Sequence, residues 1–528
     1  MTDARLLAVS LERFKSHASA TRVDLELLNV IIGRNNSGKS SLIQVLLLLK
    51  QTLDFPRLDV PLRLEGAVNA FSLRELTFGW PEPAEMVLGP SFTIEWQSPL
   101  DVRRSLDELG NPDITTLAQK GQMPWLLESI LTGEPFPESA KYSITLQYAE
   151  LNGKTTLLSV ELRSEVDHKG VVHKLEFSFK RNNDGLMDCY FKDEHARQLV
   201  VTLEHFIPYV SIDRRNVGPR DRGRSWFNAF SIIFVDGLEA LKSLIKGFSF
   251  LSSSRPLAPS LYSPATEPID NLGVSGESAA QLLQSHQTDY VHYLLPNPDA
   301  PTELPAFRQE SLAAAVNNVL GALGVDGRVS IEEIKNVGFR LLFGRANLQH
   351  VGRGLTYLLP LIQLGLISDP VRFQHRPNMS LDHFDTLSFS LCAFEEPEAH
   401  LHPKVQARLA QWFVALGMAH RQVIVETHSD HFVRHLRSLV ATAAEGSPME
   451  AWLLQSVRVI SVRQQDDVSY IENSGLTKLG DLEHWPADFM DESSDTEQEI
   501  YLAKFDKERV SSESCSAEYV HKDLTRQQ

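Results

Sequence analysis

"GRNNSGKSS", residues 33–41, is the stretch that decides how this 528-residue chain folds. Gly33, four residues, then Gly38, Lys39 and Ser40 fit the G-x-x-x-x-G-K-[ST] pattern of a phosphate-binding loop. Glycines at those places let the backbone turn tightly, so that its N–H groups point at phosphate oxygens. Before the loop stands "LELLNVII" (25–32), an apolar run of strand length. After it stands "SLIQVLLLLKQTL" (41–53), with Leu42, Val45, Leu46 and Leu49 at helical spacing. A strand feeding the loop and a helix leaving it is the context the pattern needs, because the anion then sits at a helix N-terminus. The alternative, a glycine-rich turn with no ligand, explains neither flank. The expected nucleotide contacts are Gly33, Asn35, Asn36, Ser37, Gly38, Lys39, Ser40 and Ser41. Lys39 would reach the β- and γ-phosphates of ATP, and Ser40 would hold Mg²⁺.

A phosphate loop that hydrolyses its nucleotide needs a metal-holding carboxylate on a neighbouring strand and a group that orients water. "TLSFSLCAFEEPEAHLHP" (386–403) supplies both as an apolar strand ending in Glu395 and Glu396. Glu395 is placed to reach Mg²⁺ directly or through water, and Glu396 to polarise the attacking water. A helix follows over "PKVQARLAQWFVALG", burying Val405, Leu409, Trp412, Phe413 and Leu416. Then "RQVIVETHSDHF" (421–432) reads as a strand ending at His428, within reach of a γ-phosphate. His400 and His402 raise a zinc reading, but no Cys partners them and their spacing does not suit a helix-borne site.

Composition narrows the rest. The length suits about two to four domains. No apolar run is long enough to span a bilayer, so no membrane is expected. The N-terminus carries charges throughout, unlike a signal peptide. Cys189, Cys392 and Cys515 form no disulfide framework, which suits a cytoplasmic protein. A formal charge of −17 argues against whole-surface DNA binding, which is built from Lys and Arg on phosphates.

Along the chain, residues 86–205 read mostly as antiparallel strands, with hairpin turns at Asn152-Gly153 and Asp184-Gly185 and a short helical insert near "WLLESILTG". Residues 226–330 read as helical, broken by "SSSRPLAPSLYSPATEP". From about residue 486 the chain is polar and acidic. The segment "DRRNVGPRDRGRSWF" gathers Arg214, Arg215, Arg220, Arg222 and Arg224 beside Trp226 and Phe227. It leaves nucleic acid open as a ligand, against the plainer reading of a solvated loop.

Together, "GRNNSGKSS", "FEEPEAHLHP" and "VIVETHSDHF" resemble the ABC-type ATPases of the SMC and RecF class. They more closely resemble the bacterial AAA-labelled ATPases of antiviral defence operons and overcoming-lysogenization-defect proteins. "LERFKSH" resembles that class's N-terminal strand, which implies that Lys15 lies near the nucleotide. "LSSSRPLAPSLYS", "NLGVSGESAAQLL" and "NSGLTKLGDLEHWPADFMDES" resemble further segments of the family. "HVGRGLTYLLPLI" occupies the place of the signature motif, which in this class completes the partner subunit's site. Gly352, Gly354 and Thr356 are its implied nucleotide contacts, with Tyr357 standing where Gln is usual. No Q-loop glutamine is placed.

The expectation is therefore an α/β P-loop NTPase of ABC type, with an antiparallel β lobe and an inserted helical lid. Residues 1–85 and 331–485 would form the two halves of the ATPase head, 86–225 the β lobe, 226–330 the lid and 486–528 a C-terminal element and acidic tail. The resemblance implies at least a homodimer around ATP and Mg²⁺. No nuclease pattern appears in the chain, which points to a separate effector such as a nuclease. A DNA-repair ATPase acting directly on DNA is the alternative.

Overall fold

The computed structural model of the chain describes residues 4–80, 86–110, 112–120, 122–213, 222–267, 269–369 and 389–484. Two sheets organise them. The first has eight antiparallel strands, in the order Thr21–Asp24, Arg5–Glu12, Met86–Pro99, Ser139–Leu151, Lys154–His168, Val171–Arg181, Met187–Phe191 and Glu194–His195. Alternating burial along these strands turns one face to the core, as a period-two pattern dictates. Asn152 and Gly153, both with positive φ, make the two-residue turn between Leu151 and Lys154. The N-terminal strands pair into this sheet, so the expected 85/86 division runs through continuous hydrogen bonding.

The second sheet has six strands, in the order Ser249–Leu251, Ser390–Glu395, Arg421–Glu426, Leu28–Gly33, Val457–Gln465 and Val468–Ser474. The first five are mutually parallel and the last is an antiparallel edge. Arg421–Glu426 is buried at every position, as a central parallel strand covered on both faces must be. Gln422 ties the sheets together: its Oε1 accepts from the Leu6 N–H (2.9 Å), and its Nε2 donates to the Leu6 carbonyl (2.7 Å).

The helix Ser41–Leu53 is buried on nearly all sides, which explains why Leu, Ile and Val fill most of it. Its apolar residues share one core with both sheets. The helix Arg222–Lys246 belongs to that core as well. Phe230 and Phe234 meet Phe177 edge-on, Phe234 meets Tyr142, and the Trp96 indole donates to the Gly237 carbonyl (3.0 Å). The segment 226–330 is thus less helical than expected. It also supplies the edge strand Ser249–Leu251 and the hairpin Tyr290–Leu295/Ala306–Ser311. Trp226 is buried against Phe191 with its indole donating to the Lys120 carbonyl, so it offers no face to a base. Arg214, Arg215 and Arg220 lie outside the described residues, as do Cys515, the chain from 485 onward and the expected tail.

Candidate nucleotide-binding site

The parallel sheet delivers its polar residues to one end. Leu28–Gly33, Ser390–Glu395 and Arg421–Glu426 run the same way, so their C-terminal tips lie side by side. Open parallel sheets bind ligands at that end.

At the first tip the loop needs its glycines. Gly33 has φ +148°, and a Cβ there would stand 2.2 Å from the Val462 carbonyl oxygen. Gly38 has φ +93°, and a Cβ there would stand 2.6 Å from Ser469 Oγ and 2.7 Å from Ser16 Oγ. Ser469 Oγ also donates to the Ser37 carbonyl (2.6 Å), so the loop is clamped from behind. Lys39 is buried and donates to the Arg34 carbonyl within its own loop (2.5 Å). Burial holds its pKa below the ordinary lysine value, while Glu426, Glu396 and Glu398 oppose that shift. Ser37 is buried, Asn35 and Asn36 are exposed, and Ser41 opens the helix. Lys15 folds onto the same helix, its Nζ bonding Gln44 Oε1 (2.5 Å). Its pKa is lowered by burial and partly restored by Glu395.

The second tip carries the two predicted carboxylates. Burial, with Glu426 and Glu396 adding, raises the Glu395 carboxyl to about 7. Glu395 Oε2 accepts from the Ser253 N–H (3.4 Å). Glu396 has φ +42° and donates its N–H to the Glu426 carbonyl (2.8 Å). Arg255, of "SSSRP", is buried behind this turn. Its Nη2 donates to the carbonyls of Glu395 (2.7 Å) and Glu396 (3.3 Å), and its guanidinium lies over the Tyr357 ring of the signature helix.

The third tip adds residues the sequence reading passed over. Glu426 is buried, and its Oε1 accepts from Ser40 Oγ (3.1 Å). Glu398 is also buried and its Oε1 accepts from the His428 N–H (2.6 Å), which pins the turn after Glu426. His428 itself is exposed. Its ring is still partly covered by the fold, which lowers its pKa; Lys39 lowers it further, and Glu396 opposes the shift. Lys39, Glu396 and His428 therefore lie within electrostatic reach of one another. Ser40 is bonded to Glu426 and not to Glu395. Glu426 was legible on the signal that found Glu395, an acid ending an apolar strand.

The signature segment forms the helix Arg353–Ile367, with Gly352 as N-cap. A Cβ on Gly352 would meet nothing within 4 Å among the described residues, whereas one on Gly354 would stand 2.7 Å from the His400 carbonyl oxygen. Thr356 lines a cavity with Pro256 and Pro360 of its own chain. Among the described residues no cluster of three or more His, Cys, Asp or Glu side chains could hold a metal.

Residues 5–102, which contain the phosphate loop, match the family described as AAA ATPase domain. Residues 332–434, which contain the signature helix, both glutamates and His428, match the family described as AAA domain, putative AbiEii toxin, Type IV TA system. The two matches divide the site between them. The described residues have an α/β fold in which a phosphate-loop sequence leaves the tip of a parallel sheet that packs with an antiparallel one. No curated protein matches the chain. Among solved structures it is similar to an Smc head bound to the C-winged helix domain of ScpA, at 14% identity over 90% of this chain and 98% of that one, TM-score 0.37. It is also similar to the SMC head domain from Thermotoga maritima, at 10% identity over 89% and 98%, TM-score 0.31. The fold assignment rests on the strand order and the phosphate loop. Among the described residues no helix is long and apolar enough to cross a membrane.

Proposed function

We propose that the chain binds and hydrolyses ATP, dimerises around the nucleotide, and through that cycle controls a separate effector, such as a nuclease or toxin, in a cytoplasmic antiviral defence system. The observation that carries the reading is the convergence of Lys39, Glu396 and His428 at the tips of three adjacent parallel strands. Lys39 and the loop N–H groups bind the phosphates, Glu396 orients water, and His428 contacts the γ-phosphate. Gly352, Gly354 and Thr356 complete the partner's site across the dimer. Hydroxyl and carboxylate oxygens at Ser40 and Glu395 are the hard donors that suit Mg²⁺. When bound, Mg²⁺ neutralises charge on the phosphate oxygens. The defence role leans on the sequence resemblance and on the toxin–antitoxin description of the matched family.

The test is to measure phosphate release from ATP by the purified chain, and then by the chain co-purified with the product of its neighbouring gene. The reading expects turnover by the chain alone and an effector activity that depends on it. Turnover without any nucleotide-dependent effect on a partner would remove the regulatory half.

A further inference from the structure

We infer that Glu426 is the carboxylate that holds the divalent cation together with Ser40, and that Glu395 acts on that cation from farther out. The inference rests on the nucleotide reading above and deepens it.

Three observations carry it. Glu426 ends the strand next to the phosphate-loop strand, paired with Ile31, whereas Glu395 lies one strand farther away. Glu426 Oε1 already accepts from the Ser40 hydroxyl at 3.1 Å, so the cation-binding hydroxyl and this carboxylate are in contact. Glu426 is only 6% exposed, yet its Oε2 is buried with no hydrogen-bond partner among the described residues.

A buried carboxylate oxygen without a partner costs free energy unless something else neutralises it. Lys39 attracts the Glu426 carboxylate, but its Nζ is engaged at the Arg34 carbonyl. When Lys39 turns to the phosphates, Glu426 loses what attraction it has there. A divalent cation brought in with the nucleotide supplies the missing charge. The Glu395 carboxylate is turned towards the Ser253 N–H, from which its Oε2 accepts at 3.4 Å, and among the described residues no Ser40 hydrogen bond reaches it. The same Glu426 bond keeps the Ser40 hydroxyl aimed at the cation position before nucleotide arrives.

The experiment measures equilibrium binding of ATPγS to the full chain, once with Mg²⁺ and once with EDTA. The ratio of the two affinities reports the cation, and the EDTA value reports Lys39 and the loop backbone. In the unsubstituted chain Mg²⁺ should tighten binding by roughly tenfold or more. Glu426→Ala should bring that ratio to about one and leave the EDTA affinity within about twofold. Glu395→Ala, which removes only the outer contact, should lower the ratio by less than Glu426→Ala does. Bound Mn²⁺, counted by electron paramagnetic resonance with ATPγS present, should fall further in Glu426→Ala than in Glu395→Ala. Glu426→Gln, which keeps the shape and the Ser40 contact, guards against misfolding and should lose part of the ratio. An unchanged ratio in Glu426→Ala overturns the inference. So does loss of binding in both arms by Glu426→Gln, since Glu426 would then only support the loop. Failure of the unsubstituted chain to bind ATPγS at all would instead refute the nucleotide reading.

Discussion

Glu396 is held in a conformation its sequence disfavours. It has φ +42° and stands directly before Pro397, where extended backbone is the steric preference. Such backbone costs on the order of 1–3 kcal/mol and persists only where neighbours over-determine it. Here the neighbours are the Glu426 carbonyl, which takes the Glu396 N–H, and Arg255, which grips the carbonyls of Glu395 and Glu396. Arg255→Ala should therefore lower ATP turnover by roughly tenfold or more while leaving ATP affinity within about threefold, because only the orientation of Glu396 is lost. Turnover and ATPγS binding measured on the same protein check this, and equal losses in both would count against it. Glu395 gives a pH prediction. Its pKa rises from the ordinary 4.5 to about 7 in the fold. Between those values the folded chain holds more protons than the unfolded one, so this group's contribution to stability falls as pH rises through that window. Glu395→Gln removes the effect. Without nucleotide or divalent cation, its melting temperature relative to the unsubstituted chain should be higher at pH 8 than at pH 5. A constant difference across that range would contradict the buried, repelled carboxylate.

The elements differed in how far the sequence revealed them. Ser41–Leu53 and the strands around it were legible because the phosphate loop punctuates them and their apolar runs are long. Arg222–Lys246 was recognisable as a helix but not as core. Its position depends on Phe177, Tyr142 and Trp96, which are distant in sequence and meet it only through the sheet. The Ser40–Glu426 contact was hidden for the same reason, since it joins residues 386 positions apart. Gly237 tests the placement of that helix. Alanine is the better helix former by about 1 kcal/mol, but its Cβ would stand 2.8 Å from the Tyr142 ring. Gly237→Ala should destabilise the chain by about 1–3 kcal/mol in urea unfolding, and a stabilised variant would mean the helix is not seated there. The signature helix offers a cleaner probe at Gly352 than at Gly354, because Gly354 packs on its own chain's His400. Aspartate is a good N-cap, so Gly352→Asp should fold normally while placing a negative charge where a partner's γ-phosphate would approach. It should bind ATP and fail to hydrolyse it. Mixing it with Lys39→Ala protein should recover activity, since each mixed dimer holds one intact pair. Unimpaired hydrolysis by Gly352→Asp would remove the composite site.

At the scale of the molecule, one core joins the antiparallel sheet, the phosphate-loop helix and the parallel sheet. The strand tips and the β lobe therefore rest on one set of packed side chains, through which a nucleotide-dependent change would have to pass. The chain's charge of −17 leaves little capacity for broad contact with phosphate backbones. Incubated alone with ATP, Mg²⁺ or Mn²⁺ and plasmid, linear DNA or transfer RNA, the chain should leave all three intact. Cleavage lost in Lys39→Ala protein would make it a nuclease in its own right. The central claim is that this is a hydrolysing ATPase with Glu396 as its water-orienting group, and one paired measurement reaches it most directly. ATP affinity and steady-state phosphate release are determined for the unsubstituted chain, Lys39→Ala and Glu396→Gln. The account predicts weakened binding in Lys39→Ala. In Glu396→Gln it predicts retained binding with turnover reduced by about a hundredfold or more. Near-normal turnover in Glu396→Gln would contradict it.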